Sequence, residues 1–312
     1  MEANETSRFC AGNYYFLDLS RVFDVFPFNN IIFDSEGIVR YDYMVVKQPN
    51  QTLGVQYNNS YICWWALGQL QVFLVSNKRP ALDSFLKHAE WLLNNRQDRG
   101  DYSVWPLRFD YVPTYRWLRA PWCSGMDQGL IISVLTRAYK INKDPRYLQA
   151  AQRAGLFFSV PVEKGGPRAE FSNGDYYYEM YPVKPLSKIL DGFLFALMGL
   201  HDLLSVWEDE RILAYYKDGL STLLRHVDFW DFQGFWSRFG TYYLSPPWYH
   251  KLNLAWLKVI YALTNDKRLP KLIAGWDPRN ISGLNRRRIK VYSYLFSRSA
   301  NINWSLKRRL LK

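Results

Sequence analysis

A chain of 312 residues, 48% of them hydrophobic, is long enough to bury a substantial core without disulfide or metal staples. Its net charge of +12 does not make the body basic: ten of the 40 Lys and Arg and none of the 28 acidic residues fall between Pro278 and Lys312, leaving 30 against 28 elsewhere. Cys10, Cys63 and Cys123 are odd in number and widely spaced, which argues against a disulfide framework and for a reducing compartment. With four histidines and no His-x-x-x-His or Cys-x-x-Cys pair, no metal site and no cofactor are expected.

Residues 1–58 alternate short aromatic or β-branched runs, such as NYYFLDL and NNIIFDSEGIVRYDYMVV, with Asn, Asp, Gly and Pro. They read as strands and loops. From Tyr61 the apolar period becomes helical, and WWALGQLQVFLV, ALDSFLKHAEWLLNN, QGLIISVLTRAY, YLQAAQRAGLFF, ILDGFLFALMGLHDLL, RILAYYKDGLSTLLRHV, YHKLNLAWLKVIYALT and LPKLIAGW predict eight helices. Four junctions between them are alike: NKRPAL, KDPRYL, EDERIL and NDKRLP place Arg79, Arg146, Arg211 and Arg268 at separations of 67, 65 and 57 residues. Acidic or Asn residues there suit helix starts, and Pro80 and Pro145 suit a first turn. A helical hairpin repeating at this length is too long for a tetratricopeptide or ankyrin solenoid. It suits a mainly α fold: an α/α toroid, an incomplete α/α barrel of about four helical hairpins, with a small N-terminal β-rich segment.

The expected organisation is therefore a strand and loop segment over 1–58, a toroid over 59–278 and a basic amphipathic tail over 279–312. In the tail, IKVYSYLFSRS and INWSLKRRLLK mix aromatic and aliphatic residues with cations, including Arg286, Arg287, Arg288, Lys290, Arg298, Lys307, Arg308, Arg309 and Lys312. That mixture fits an anionic membrane surface, and nucleic acid is disfavoured because the body offers no companion basic face. The N-terminus lacks a basic stretch followed by an apolar one, and no segment approaches about 18 uncharged apolar residues. A cytoplasmic location, peripheral on the inner membrane face, is expected.

The loops between hairpins are long and aromatic, and rings beside charged groups suit the C–H faces of sugars. Three ordered segments there resemble the heparosan and heparan glucuronyl C5-epimerases in their C-terminal helical domain: PWCSGMDQGLIISVLTRAY at 121–139, YYYEMYPVKPLSKILDGFLFALMGLHDL at 176–203, and Trp248 to His250. The likeness extends from about Trp105 to Trp276. It implies an isomerase that inverts carbon 5 of hexuronate, glucuronate to iduronate type, within a polysaccharide or lipid-linked glycan. In that family tyrosines are proposed as acid and base, and Tyr181 and Tyr249 fall on the matching motifs. Three positions depart from the pattern, one of them Asp127, which replaces a small residue in PWCSGMDQG. Met180-Tyr181-Pro182 stands where the segment usually reads Glu-Tyr-Pro, and Phe239 stands where a third tyrosine follows a Trp-Ser element. Glu179, Tyr242 and Tyr243 lie close enough in sequence to compensate.

Inverting carbon 5 needs two proton-transfer groups flanking the ring and a donor that neutralises the carboxylate as it becomes an enolate. A phenol of ordinary pKa about 10 is a poor base without a neighbouring cation. Arg238, His250 and Lys251 are candidates, and Arg238 is preferred because a guanidinium grips a carboxylate in two-pronged fashion. His250 is equally suited to closing a helix start. Asp127 is either a helix-start acid or a catalytic carboxylate; paired with Asp110, Glu179 or Asp191 it would make the two-carboxylate site of a glycosidase. Trp105, Trp117, Trp122, Trp236 and Trp248, with Tyr178, Tyr242 and Tyr243, are the candidate sugar-binding rings. Competing readings are a uronate lyase, which begins with the same proton abstraction, and a non-catalytic glycan-binding relative.

Overall fold

The computed structural model describes residues 30–43, 47–48, 51–112 and 117–295. The run NYYFLDL and the tail beyond residue 295, including Arg298, Lys307, Arg308, Arg309 and Lys312, lie outside the described residues.

Eight helices coincide with the eight periodic segments: α1 (Asn59–Ser76), α2 (Arg79–Asn94), α3 (Gly125–Asn142), α4 (Pro145–Leu156), α5 (Leu190–Leu204), α6 (Glu210–His226), α7 (Pro247–Thr264) and α8 (Leu269–Trp276). A further helix, α9, occupies residues 283–295. The repeated junctions are chain reversals. Asn77, Lys143 and Asn265 end α1, α3 and α7 in the left-handed conformation, with φ of 53°, 60° and 51°. Asp144, Asp209 and Asp266 each accept the backbone N–H two residues on, from Arg146, Arg211 and Arg268, and each also takes that arginine's guanidinium. Before α4 and α6 the clamped aspartate is the N-cap of the next helix, whereas before α8 Arg268 itself holds the N-cap position. At the first junction Arg79 instead reaches forward to Asp83.

The odd-numbered helices pack in the order α1, α3, α5, α7, and each pairs with the even-numbered helix that follows it. α3 and α5 are buried on nearly every side, as inner helices must be, whereas α2, α4 and α6 bury one apolar stripe. The α3–α5 seam is tightest at glycine: a Cβ on Gly199 would meet the Gly129 backbone, and one on Gly129 would meet the Phe195 carbonyl. Farther along, the buried Arg137 grips Asp202 through both guanidinium nitrogens, at 2.5 and 3.2 Å.

Strands β1 (Ile31–Phe33), β2 (Val39–Asp42) and β5 (Val55–Gln56) form an antiparallel sheet in the order β1-β2-β5, with Ile31 opposite Tyr41 and Tyr41 opposite Gln56. β3 (Lys47–Gln48) and β4 (Gln51–Thr52) form a short hairpin between them. Tyr41 stacks on Tyr61 of α1 at 4.1 Å, and the Val39 N–H donates to His88 of α2. Three two-stranded ribbons, β6–β7 (Gln97–Arg99, Tyr102–Val104), β8–β9 (Arg168–Ser172, Asp175–Tyr178) and β10–β11 (Asp231–Phe232, Trp236–Ser237), lie in the loops that lead into α3, α5 and α7. Those loops and the first turns of the inner helices therefore share one end of the barrel. Among the described residues no helix is long and apolar enough to cross a membrane.

Candidate active site

At that end a cavity with about 630 Å³ of empty space, counted to its open mouth, is walled by the beginnings of all four inner helices. α1 contributes Ser60, Tyr61 and Trp64, α3 contributes Met126 and Asp127, α5 contributes Asp191, and α7 contributes Tyr249. Loops add Tyr43, Tyr111, Trp122, Met180, Tyr181 and Phe239. The two tyrosines singled out by sequence, Tyr181 and Tyr249, face the same space although 68 residues separate them.

Local structure fixes each wall. Leu107 pairs with Trp122 and Tyr111 with Leu118 across an irregular ladder, which Asp110 tightens by accepting from the Ala120 N–H and from Arg119. This ladder lays Tyr111 parallel to Trp122, with ring centres 6.1 Å apart, and Trp122 is held by its Nε1–H donating to the Phe109 carbonyl. Tyr181 leans on both rings, at 6.0 and 6.1 Å. Across the cavity Tyr249, in the first turn of α7, meets Phe239 edge-on at 4.8 Å. Tyr43 accepts a hydrogen bond from Asn58 at 2.7 Å.

Burial dominates the electrostatics. It pushes the phenols of Tyr43, Tyr61, Tyr181 and Tyr249 above the ordinary tyrosine value, so all four are neutral hydroxyls. Burial also raises Asp127 to about 6, although Ser60, Asn59 and the Ser124 cap all hydrogen-bond to it. Asp191 is raised by burial to about 7, against backbone N–H groups of its own helix start, and its Oδ1 has no hydrogen-bond partner. Among the described lining residues there is no Lys, Arg or His.

Several sequence expectations are corrected. Arg238 follows β11 and lies away from the cavity; its Nε donates to the Asp231 carbonyl at 3.4 Å and its guanidinium sits 5.9 Å from the Phe232 ring. His250 is fully buried, accepting at Nδ1 from the Ser237 N–H and donating from Nε2 to the Trp276 carbonyl, and burial lowers it to about 4, so it carries no charge for a substrate. Glu179 is also fully buried, accepting from Tyr177, Ser187 and the Lys188 N–H, and cannot stand in for the carboxylate absent at Met180. Trp105, Trp236 and Tyr178 are buried and donate to the carbonyls of Leu92, Ser245 and Tyr215. They are core residues. Trp248 packs edge-on against Tyr249 at 5.3 Å without lining the cavity, and Tyr242, Tyr243 and Lys251 do not line it either. Trp117 lies under Arg119 in the ladder. Of the rings proposed for sugar stacking, Trp122 is the one that lines the cavity.

Tyr43, Tyr61 and Tyr111 were not singled out by sequence, since nothing local separates them from other tyrosines. Asp127 and Asp191, considered as a pair, do line one cavity, whereas Asp110 and Glu179 do not.

Residues 97–278 match the family described as D-glucuronyl C5-epimerase C-terminus. The D-glucuronyl C5-epimerase of Caenorhabditis elegans is 34% identical over 222 residues, which cover 62% of this chain and 34% of that protein. The chain thus spans about a third of that relative's length. An uncharacterized protein of Methanocaldococcus jannaschii is 29% identical over 185 residues, covering 56% of this chain and 57% of that one. Among solved structures, a GH76 α-mannanase of Bacteroides thetaiotaomicron superposes with a TM-score of 0.51 at 16% identity, covering 90% of this chain and 78% of that one. That likeness shows the fold, an α/α toroid. By the extent of the family match, the chain belongs to the D-glucuronyl C5-epimerase C-terminal family.

Proposed function

We propose that the chain is a carbohydrate epimerase that inverts carbon 5 of hexuronate residues within a glycan, with Tyr181 and Tyr249 as the groups that remove and return the proton. The observation that carries this reading is that both phenols line one cavity, in a member of this family. The absence of cations from the described lining is offset by geometry: α1, α3, α5 and α7 all begin at the cavity, and helix N-termini favour negative charge such as a uronate carboxylate or its enolate. Trp122 and Tyr111 give a flat apolar wall for the ring. The test is incubation of purified protein with a glucuronate polymer in heavy water. Deuterium should enter at carbon 5, and a product mixture should contain the inverted sugar. No exchange on any uronate glycan overturns the reading, and an ultraviolet-absorbing unsaturated uronate would identify a lyase.

A second reading is favoured by one observation: Asp127 and Asp191 line the same cavity, as a glycosidase requires. Release of reducing ends without carbon 5 exchange would establish it.

The C-terminal helix supports a separate proposal, binding to an anionic membrane surface. α9 exposes Leu284, Val291, Tyr294 and Leu295 beside Arg286, Arg287, Arg288 and Lys290. Its other side is anchored, with Tyr292 against Phe232 at 5.0 Å. The protein should sediment with vesicles containing anionic lipid and not with neutral ones. Unchanged sedimentation after deletion of residues 286–312 overturns the proposal.

A further inference from the structure

The proposed epimerisation leaves one group of the cavity without a task. Asp191 is 1% exposed, and its Oδ1 has no hydrogen-bond partner. An unpartnered buried polar group destabilises a fold, so its presence calls for a reason. The groups that share its cavity are known: Met180 and Tyr181 from the loop after β9, Tyr249 from α7, Asp127 from α3, Tyr61 from α1, and Tyr43 and Tyr111 from the loops. None is a cation, and Asp127 is already occupied by Ser60 and Asn59. Asp191, Tyr181 and Tyr249 all line this one cavity, and after burial the charge of Asp191 is among the causes that raise both phenols, more prominently at Tyr249. Met180 packs directly on Gly192, the next residue, so an apolar side chain closes the wall around the carboxyl.

We propose that Asp191 is a proton relay shared by Tyr181 and Tyr249. The inference rests on the reading that these two tyrosines exchange the carbon 5 proton, and it adds the group that makes them usable and resets them. In the first half-reaction the C5–H bond breaks and its electron pair moves into the enolate. The proton bonds to one phenol oxygen while that phenol's own proton passes to the Asp191 carboxylate, a transfer that requires substrate binding to bring the two into hydrogen-bond contact. In the second half-reaction the other phenol gives its proton to the opposite face of carbon 5, where the enolate pair forms the new C–H bond, and Asp191 passes its proton to that phenolate. Both tyrosines end neutral and Asp191 ends ionised, so the cycle consumes nothing. A carboxyl raised to about 7 is better matched to a buried phenol than one at its ordinary 3.8. Asp191 acts through the tyrosines and is a positioning residue.

The experiment compares the wild-type chain with Asp191→Asn and Asp191→Glu, using carbon 5 deuterium exchange on a glucuronate polymer, with kcat, KM and the pH profile measured separately. The expected result for Asp191→Asn is a loss of kcat of about 10²-fold or more with KM within about threefold. Wild-type kcat should fall as pH drops below about 7, where the relay is protonated. Asp191→Glu should retain measurable turnover with that limb displaced. If Asp191→Asn keeps its rate within about threefold, or loses only KM, the relay is overturned while the tyrosines stand. Should Asp191→Asn fail to fold, the wild-type profile and Asp191→Glu decide: a wild-type kcat without an acid limb, or an unmoved limb in Asp191→Glu, overturns the relay. Absence of exchange in the wild type overturns the underlying reading, and the relay with it.

Discussion

Glu179 and Asp191 lie twelve residues apart, both buried almost completely, and the chain treats them in opposite ways. Around Glu179, Tyr177, Ser187 and the Lys188 N–H meet both carboxylate oxygens. Around Asp191, one oxygen receives only helix-start N–H groups and the other receives nothing. Burial raises both above the ordinary carboxylate range. The difference teaches that burial alone does not mark chemistry; a satisfied carboxylate fastens the loop between β9 and α5, and an unsatisfied one beside two phenols is available to a reaction.

The comparison can be broken in four ways. The largest effect belongs to the phenols that Asp191 serves: Tyr181→Phe and Tyr249→Phe should each lower carbon 5 exchange by about 10³-fold, with the midpoint of thermal unfolding little changed. Next, Glu179→Ala should lower unfolding free energy by roughly 3 kcal/mol in denaturant titrations, because it strands three buried donors. Asp191→Asn should cost far less stability, or add to it, since it strands none; equal losses in the two variants would refute the contrast.

Third, stability should depend on pH through Asp191. Its folded value, about 7, is above the ordinary 3.8, so the folded state holds the proton more tightly than the unfolded one. Its contribution is then fully present below about pH 4 and is lost as pH rises through about 7. Denaturant midpoints across that window should fall by less after Asp191→Asn. Smallest of all, Arg238→Ala should leave kcat/KM within about twofold, because that guanidinium engages the Asp231 carbonyl and the Phe232 ring and no cavity atom. A hundredfold loss would restore it to the site.

Much of the barrel was legible in the sequence because its information is local. Helical periodicity and an arginine recurring at each junction are properties of short windows, and together they located the hairpins. Tyr181 and Tyr249 were legible through motif likeness, Asp127 as a helix-start acid or catalytic carboxylate, and Trp122 as one of a cluster of loop aromatics. What could not be read was direction. Trp236 and Arg238 sit at or beside a two-residue strand whose side chains alternate, and only the packing of His250 against Trp236, at 3.6 Å, shows which face turns inward. Tyr43, Tyr61 and Tyr111 converge from three separate segments, a property of the folded chain alone. Asp191 sat in the sequence as one of several possible partners for Asp127, and no window could reveal that its oxygen is left unmatched.

One feature of the chamber bears on how the protein can be dissected. Tyr43, Asn58, Ser60, Tyr61 and Trp64 all precede residue 97, where the family match begins. The family-matched segment and the lining of the cavity therefore have different borders. Transplanting residues 97–278 into a foreign host would carry Tyr181, Tyr249 and Asp191, yet would leave one side of their enclosure to be rebuilt by whatever the host supplied. Hybrids that keep the native leading strands and first hairpin should outperform those cut at residue 97.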